Sequence, residues 1–227
     1  MPYGTKSLST VERYAIENSR FLEAHGIKLL VVACNTASAL ALPAIRKAVD
    51  VKVVGVIGPG ARRAAAVVNG KKVGVIATEA TVQSSAYANA IAKVNPYLTV
   101  VERACPLFVS LAEEGWADTE VAHTVAEQYL KDFRELDIGA LVLGCTHYPI
   151  LREVISETVG REVKLIDSGA ATARDVESLL ESSDLTHEDA FGLYQERQLC
   201  DDLDHFYVTD AAERFAKVAE RFLGSAP

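Results

Sequence analysis

Apolar residues fall along this chain in two kinds of run. Short unbroken stretches lie between polar turns, as in Lys28–Ala33, Lys72–Ala77 and Ala140–Leu143. Such runs predict strands covered on both faces, as in a parallel sheet. Elsewhere apolar positions recur about once per helical turn, as at Val121, Val125, Tyr129 and Phe133, which predicts helices with one buried face. Further strands are expected at Val51–Ile57, Leu98–Arg103, Glu162–Ile166 and Phe206–Thr209. Helices are expected from Ser9 to His25, from Thr36 to Val49 with a bend or split at Pro43, and from Ala61 to Val68. Others are expected over 78–93, 106–114, 118–136, 151–159, 170–180 and 210–223. Ser9-Thr-Val-Glu12 fits a capping box, Asp118 and Asp210 fit N-caps, and Gly26 and Gly224 fit helix stops. The polar stretch from Thr186 to Asp204 carries no assignable period.

Strands alternating with helices indicate the α/β class with mainly parallel sheets. Gly58-Pro-Gly60 and Asp167-Ser-Gly169 read as breaks between two similar domains. One is discontinuous, residues 1–58 plus 168–227, and carries Cys34. The other, residues 59–167, carries Cys145. Ligands of open α/β sheets bind beyond the carboxyl ends of the strands, and both cysteines sit at such ends. The active site is therefore expected in the cleft between the domains.

The 227 residues are enough to bury a proper core, and 49% hydrophobic with 24% charged residues is ordinary for a globular protein. The net charge of −8 points away from nucleic acid as the main partner. No apolar run approaches the ~20 residues of a membrane span. The opening residues Met1-Pro-Tyr-Gly-Thr-Lys6 lack the apolar core of a signal peptide, so a cytoplasmic location is expected. The glycines of Gly55-Val-Ile-Gly58-Pro-Gly60 form no nucleotide-binding fingerprint.

The candidate chemistry lies in two matched stretches, Leu29-Leu-Val-Val-Ala-Cys-Asn-Thr-Ala-Ser38 and Leu141-Val-Leu-Gly-Cys-Thr-His-Tyr-Pro149. Each delivers a cysteine to the end of a strand, follows it with a threonine within two residues and leads into a helix. Inverting a carbon-acid stereocentre without a cofactor needs one base to take the proton and an acid on the opposite face to supply another. A thiol with a reference pKa of about 8.5 can hold either role near neutral pH. A helix N-terminus after each cysteine would favour the thiolate and could hold a carboxylate. A cysteine after an apolar strand is more often a small core residue. Paired Asn-Thr and Thr-His neighbours are not what core packing demands. Cys105 and Cys200 lack such turns and read as structural. His25 and His123 read as surface or packing residues, and His187 and His205 receive no role. Cys145 and His147 are two apart without a second pair, so no metal site is expected.

At these residues the chain closely resembles the glutamate racemases. Cys34-Asn-Thr-Ala-Ser38 and Gly144-Cys-Thr-His-Tyr-Pro149 look like that family's two signature motifs. Pro2-Tyr-Gly-Thr-Lys-Ser7, Ala77-Thr-Glu-Ala-Thr81, Ala104-Cys-Pro-Leu-Phe108 and Leu165-Ile-Asp-Ser-Gly169 fit it in order, as do Phe206-Tyr-Val-Thr209 and Glu220-Arg-Phe-Leu-Gly224. The resemblance implies cofactor-independent interconversion of L- and D-glutamate, the D-form feeding peptidoglycan. It implies Cys34 and Cys145 as the acid/base pair, with His147 assisting Cys145. Tyr3, Gly4, Asn35, Thr36, Thr146 and His147 match positions that hold the substrate. Glu114 resembles a further acidic residue of the site, and Thr78 and Thr81 are additional candidates. A homodimer is expected, with no nucleic acid and no membrane as partner. The resemblance also implies a strand and an Asp-Ser-Gly loop ahead of the Pro-Tyr-Gly motif, so a form starting further upstream is expected. Alternatives stay open: a racemase of aspartate or a related carbon acid, or an impaired homologue that binds an amino acid without turning it over.

Overall fold

The structure is a computed structural model, and it describes residues 2–68, 72–186 and 205–223. Among these residues the strands form two parallel sheets. The first pairs β1 (Leu29–Val32) with β2 (Lys52–Gly55). The second contains β3 (Lys72–Ala77), β4 (Val100–Ala104), β5 (Ile138–Gly144) and β6 (Lys164–Asp167), in the order β4-β3-β5-β6.

The unbroken apolar runs of β3 and β5 have a direct cause. Both lie inside the four-stranded sheet and are covered on both faces. On β5, Leu141 and Leu143 point into one core with Phe108, Leu130, Phe133 and Ile155. Their neighbours Ala140 and Val142 point into the other, with Ile57, Ala61, Tyr87 and Ile91. The two-residue period of the pleat thus feeds two separate cores from one continuous apolar segment. The smaller sheet buries Leu30 and Val53 with Val11, Ala15 and Ile45. These last residues come from α1 (Leu8–Glu23) and α3 (Leu42–Ala48).

The helices start and stop where local chemistry permits. Ser7, not Ser9, caps α1: its backbone is extended and its side chain accepts the Thr10 N–H at 3.3 Å. The segment expected over 36–49 divides into α2 (Asn35–Leu40) and α3, with Pro43 in the first turn of α3, where its missing N–H costs nothing. Gly58-Pro-Gly60 does not interrupt the helix. It forms the first turn of α4 (Ile57–Val67), for the same reason. The stretch over 78–93 splits into α5 (Glu79–Gln83) and α6 (Ala86–Val94), because Ser85 adopts a left-handed conformation at φ 52°. After α7 (Leu107–Glu114) comes α8 (Glu120–Leu130), which is capped by Thr119 rather than Asp118. It ends short of Leu136, in a 3₁₀ turn over Lys131–Arg134.

A second 3₁₀ turn, Tyr148–Leu151, precedes α9 (Arg152–Val159). Asp167 caps α10 (Ser168–Ser182) by accepting the N–H groups of Gly169 and Ala170, so Asp167-Ser-Gly169 is a helix start. Residues Phe206–Thr209 form no strand, and α11 (Ala212–Leu223) closes the described chain. Cys200, His187, Gly224 and most of the unassigned polar stretch lie outside the described residues.

Candidate active site

Five chain segments meet around one cavity of about 310 Å³. The loops that follow β1 and β5 bring Cys34 and Cys145 to its wall, as expected from their places at strand ends. Tyr3 and Gly4 come from the opening loop, Thr36 from α2, Thr78 from the end of β3, and Val109 and Glu113 from α7. Thr146 and His147 complete the wall beside Cys145. A larger surface hollow of about 520 Å³ lies among His123, Glu127, Arg134 and Glu157, but it presents no thiol or hydroxyl nucleophile beyond threonine. Among the described residues, no three His, Cys, Asp or Glu side chains gather as metal ligands do.

The first thiol sits at a helix start. Cys34 is the N-cap of α2, with its Sγ accepting the Ala37 N–H at 3.5 Å. Burial raises its pKa, while hydrogen bonds from the Ala37 and Thr36 backbones and the Thr36 side chain oppose that rise. Thr36 is itself locked. Its hydroxyl lies 2.9 Å from that of Thr78 and 3.2 Å from that of Thr81, which are 3.0 Å from each other. This buried hydroxyl cluster ties α2 of the first sheet to α5 of the second. Gly4 packs so closely on Thr78 that a Cβ there would meet the Thr78 Cβ at 2.6 Å. The Tyr3 hydroxyl accepts a hydrogen bond from Asn18 at 3.4 Å.

The second thiol is deeper. Burial pushes the Cys145 pKa up to about 12, opposed by N–H groups of His147 and Thr146 and by the Thr146 side chain. A negative charge on Cys34 would raise it further, so the two thiols sense each other across the cavity. No α-helix starts directly after Cys145. The chain enters the 3₁₀ turn instead, and α9 begins only at Arg152. The N–H groups that support the thiol are those of Thr146 and His147, just ahead of this turn.

His147 places Nδ1 3.7 Å from the Cys145 Sγ and Nε2 3.3 Å from Glu113 Oε1. Burial lowers its pKa, and the Glu113 charge pulls it back up. Glu113 in turn lies 3.4 Å from Arg214 on α11, while Arg221 donates to the Glu113 carbonyl. The Phe222 ring stands edge-on to His147 at 5.5 Å. A chain of contacts therefore runs from Arg214 through Glu113 and His147 to Cys145.

The profile of the Asp/Glu/Hydantoin racemase family matches residues 3–176. The chain belongs to that family. It is 54% identical to the glutamate racemase of Geobacter metallireducens over 227 residues, covering 99% of this chain and 80% of that protein. Its fold matches the crystal structure of glutamate racemase isoform RacE1 from Bacillus anthracis, with a TM-score of 0.87 and 36% identity, over 99% of this chain and 81% of that one. It also matches the Francisella tularensis glutamate racemase in complex with D-glutamate, with a TM-score of 0.86 and 37% identity, over 100% and 81% of the two chains.

Within this family framework the predicted residues divide. Cys34, Cys145, His147, Tyr3, Gly4, Thr36, Thr78 and Thr146 share the cavity wall. Asn35 and Thr81 do not line it: both are buried, Thr81 in the hydroxyl cluster and Asn35 against Tyr87 and Ser168. Glu114 is exposed, and Glu113 takes the position beside His147. A signal for this was present in the sequence. Phe108, Leu111 and Ala112 mark the buried face of α7, and Glu113 follows Val109 by one turn on the side toward the cavity. Two other histidines lie apart from the cavity: His25 contacts Phe21 and Tyr207, and His123 pairs with Glu157 at 3.9 Å.

Proposed function

We propose that this protein interconverts L- and D-glutamate by a two-base exchange between Cys34 and Cys145, and so supplies D-glutamate for peptidoglycan. The observation that carries the reading is two thiols at the ends of two separate parallel sheets lining one cavity. One thiolate removes the proton from Cα, and the thiol on the opposite face delivers its own proton to the other side of the planar intermediate. The enzyme then holds the same total proton count, with the two sulfurs exchanged in state. Burial that raises both thiol pKa values suits the acid role, and the peptide N–H groups and the ammonium of the bound substrate offset the cost of the thiolate.

In this reading Thr36, Thr78, Thr146 and the opening loop at Tyr3 and Gly4 hold the carboxylates and ammonium, and His147 serves Cys145. Glu113 takes the acidic place that Glu114 was expected to fill. The reading includes two domains, 1–58 with 168–227 and 59–167, each presenting one thiol, a homodimer, and a cytoplasmic location. No helix among the described residues is long and apolar enough to cross a membrane. The test is polarimetric: L- or D-glutamate, aspartate and a hydantoin are each incubated with the protein and circular dichroism is followed. Loss of signal with both glutamate enantiomers is expected. Inversion of aspartate or the hydantoin without glutamate would overturn the substrate assignment.

A further inference from the structure

We infer that Tyr87 is a positioning residue that ties the two thiol-bearing loops to each other. The inference rests on the racemase reading of the cavity. Tyr87 lies on α6, belongs to neither signature motif, and is fully buried in the core between the four-stranded sheet and its helices. Its phenol nevertheless reaches polar company. The hydroxyl donates to Asn35 Oδ1 at 2.6 Å, and Asn35 directly follows Cys34. Burial holds the phenol firmly protonated, so it acts as a donor.

The Asn35 amide is held at both ends. Its Nδ2 donates to Ser168 Oγ at 3.3 Å, and Ser168 Oγ also lies 3.4 Å from the Leu143 carbonyl on β5. The other half-site touches the ring. A Cβ added to Gly144, the residue before Cys145, would meet Tyr87 Cε2 at 3.1 Å. A Cβ on Gly60 would meet Tyr87 Cε1 and the hydroxyl oxygen at 3.2 Å. One side chain therefore fixes the backbone that precedes Cys145 with its ring and the residue that follows Cys34 with its hydroxyl. A two-base exchange needs both sulfurs held at set reach on opposite faces of one carbon, and errors on the scale of an ångström are costly there. The Thr36, Thr78 and Thr81 hydroxyls tie α2 to α5, and Ser168 links Asn35 to the Leu143 carbonyl. Tyr87 is the contact that joins both cysteine loops through one rigid ring.

The substitution Tyr87→Phe separates the two functions, because it keeps the ring against Gly144 and frees Asn35. The expected result is a fall in kcat for glutamate of about tenfold, with KM changed less than about threefold, as befits lost positioning rather than lost binding. A second readout does not require turnover: iodoacetamide alkylation of each cysteine, followed by peptide mass mapping. The Cys34 rate is expected to change while the Cys145 rate stays at the wild-type value. Ser168→Ala, which removes the other anchor of Asn35, is expected to alter the Cys34 rate in the same way. Ile91→Val, a cavity in the same core with no Asn35 contact, reports loss of stability alone and is expected to leave both alkylation rates unchanged. Wild-type kcat and wild-type Cys34 alkylation in Tyr87→Phe would overturn the inference, as would an equal response in Ile91→Val. Failure of the wild-type protein to racemise glutamate would instead overturn the functional reading, while the Cys34 alkylation response still judges the role of Tyr87.

Discussion

Replacing Glu113 by glutamine probes the link between the acidic side chain, His147 and Cys145. The carboxylate lies 3.3 Å from Nε2 of an imidazole whose other nitrogen lies 3.7 Å from the thiol. Hydrogen bonds to charged groups contribute about 1.5–3 kcal/mol. The side chains of His147 and Glu113 are 17% and 20% exposed, so solvent screening places this one at the lower end. About 1.4 kcal/mol is one pKa unit. The His147 pKa, already lowered by burial, is expected to fall further once the charge that opposes that lowering is gone. A less protonated imidazole gives the Cys145 thiolate a weaker partner, so the thiol pKa rises. The acidic limb of kcat/KM against pH then moves up, and losing about 1.4 kcal/mol of support for the thiolate lowers the value near pH 7 about tenfold. L- and D-glutamate have equal free energy, so kcat/KM must fall equally in both directions. Racemisation followed by circular dichroism across the pH range reads the shift. A profile superimposed on the wild type would refute the link. A limb moved downward would show that Glu113 acts on Cys145 only as a like charge.

Three further outcomes follow from the packing. Gly144→Ala is expected to abolish turnover, because its Cβ would meet the Ile76 carbonyl oxygen at 2.7 Å, and that backbone atom has no room to yield; wild-type kcat in a folded Gly144→Ala protein would contradict this. Leu141→Ala, at a fully buried position on β5, is expected to cost about 2–5 kcal/mol in urea unfolding, and a loss below about 1 kcal/mol would contradict the two-sided core. Stability is expected to fall in alkali. Cys105 and Cys145 are raised from the usual 9.0 to about 12 in the folded protein, so the unfolded chain ionises first and the contribution, full below pH 9, is lost between pH 9 and 12. At pH 10 each thiol accounts for about 1 kcal/mol, and unfolding curves that coincide for the wild type and Cys105→Ala in their pH dependence would contradict this.

What was legible in the sequence follows from which forces are local. The strands β3 and β5 and the placing of both thiols were readable, because a doubly covered strand leaves an apolar run and its end marks a parallel-sheet site. The internal breaks in the helices over 36–49 and 78–93 depended on single residues, and only Pro43 announced itself; the left-handed Ser85 did not. Gly58-Pro-Gly60 misled, since the same residues serve a turn or a helix start, and burial of Ile57 and Ala61 decided for α4. Cap selection between Ser7 and Ser9, or Asp118 and Thr119, turned on one residue of backbone geometry. Asn35 looked like a cavity residue from its neighbour Cys34. Its true partners, Tyr87 and Ser168, come from the other sheet's helices, and no local pattern relates them. Glu113 differed from Glu114 by one helical step, which the buried face of α7 fixes.

The central claim is that Cys34 and Cys145 exchange roles on opposite faces of one carbon. Incubation of each glutamate enantiomer in deuterium oxide, with the wild type, Cys34→Ser and Cys145→Ser, tests it most directly. The wild type is expected to invert both enantiomers and to place solvent deuterium at Cα of the product. Either serine variant is expected to lose inversion by on the order of 10²–10⁴-fold, the usual contribution of one general acid or base. Inversion by Cys34→Ser or Cys145→Ser at the wild-type rate would contradict the two-thiol account.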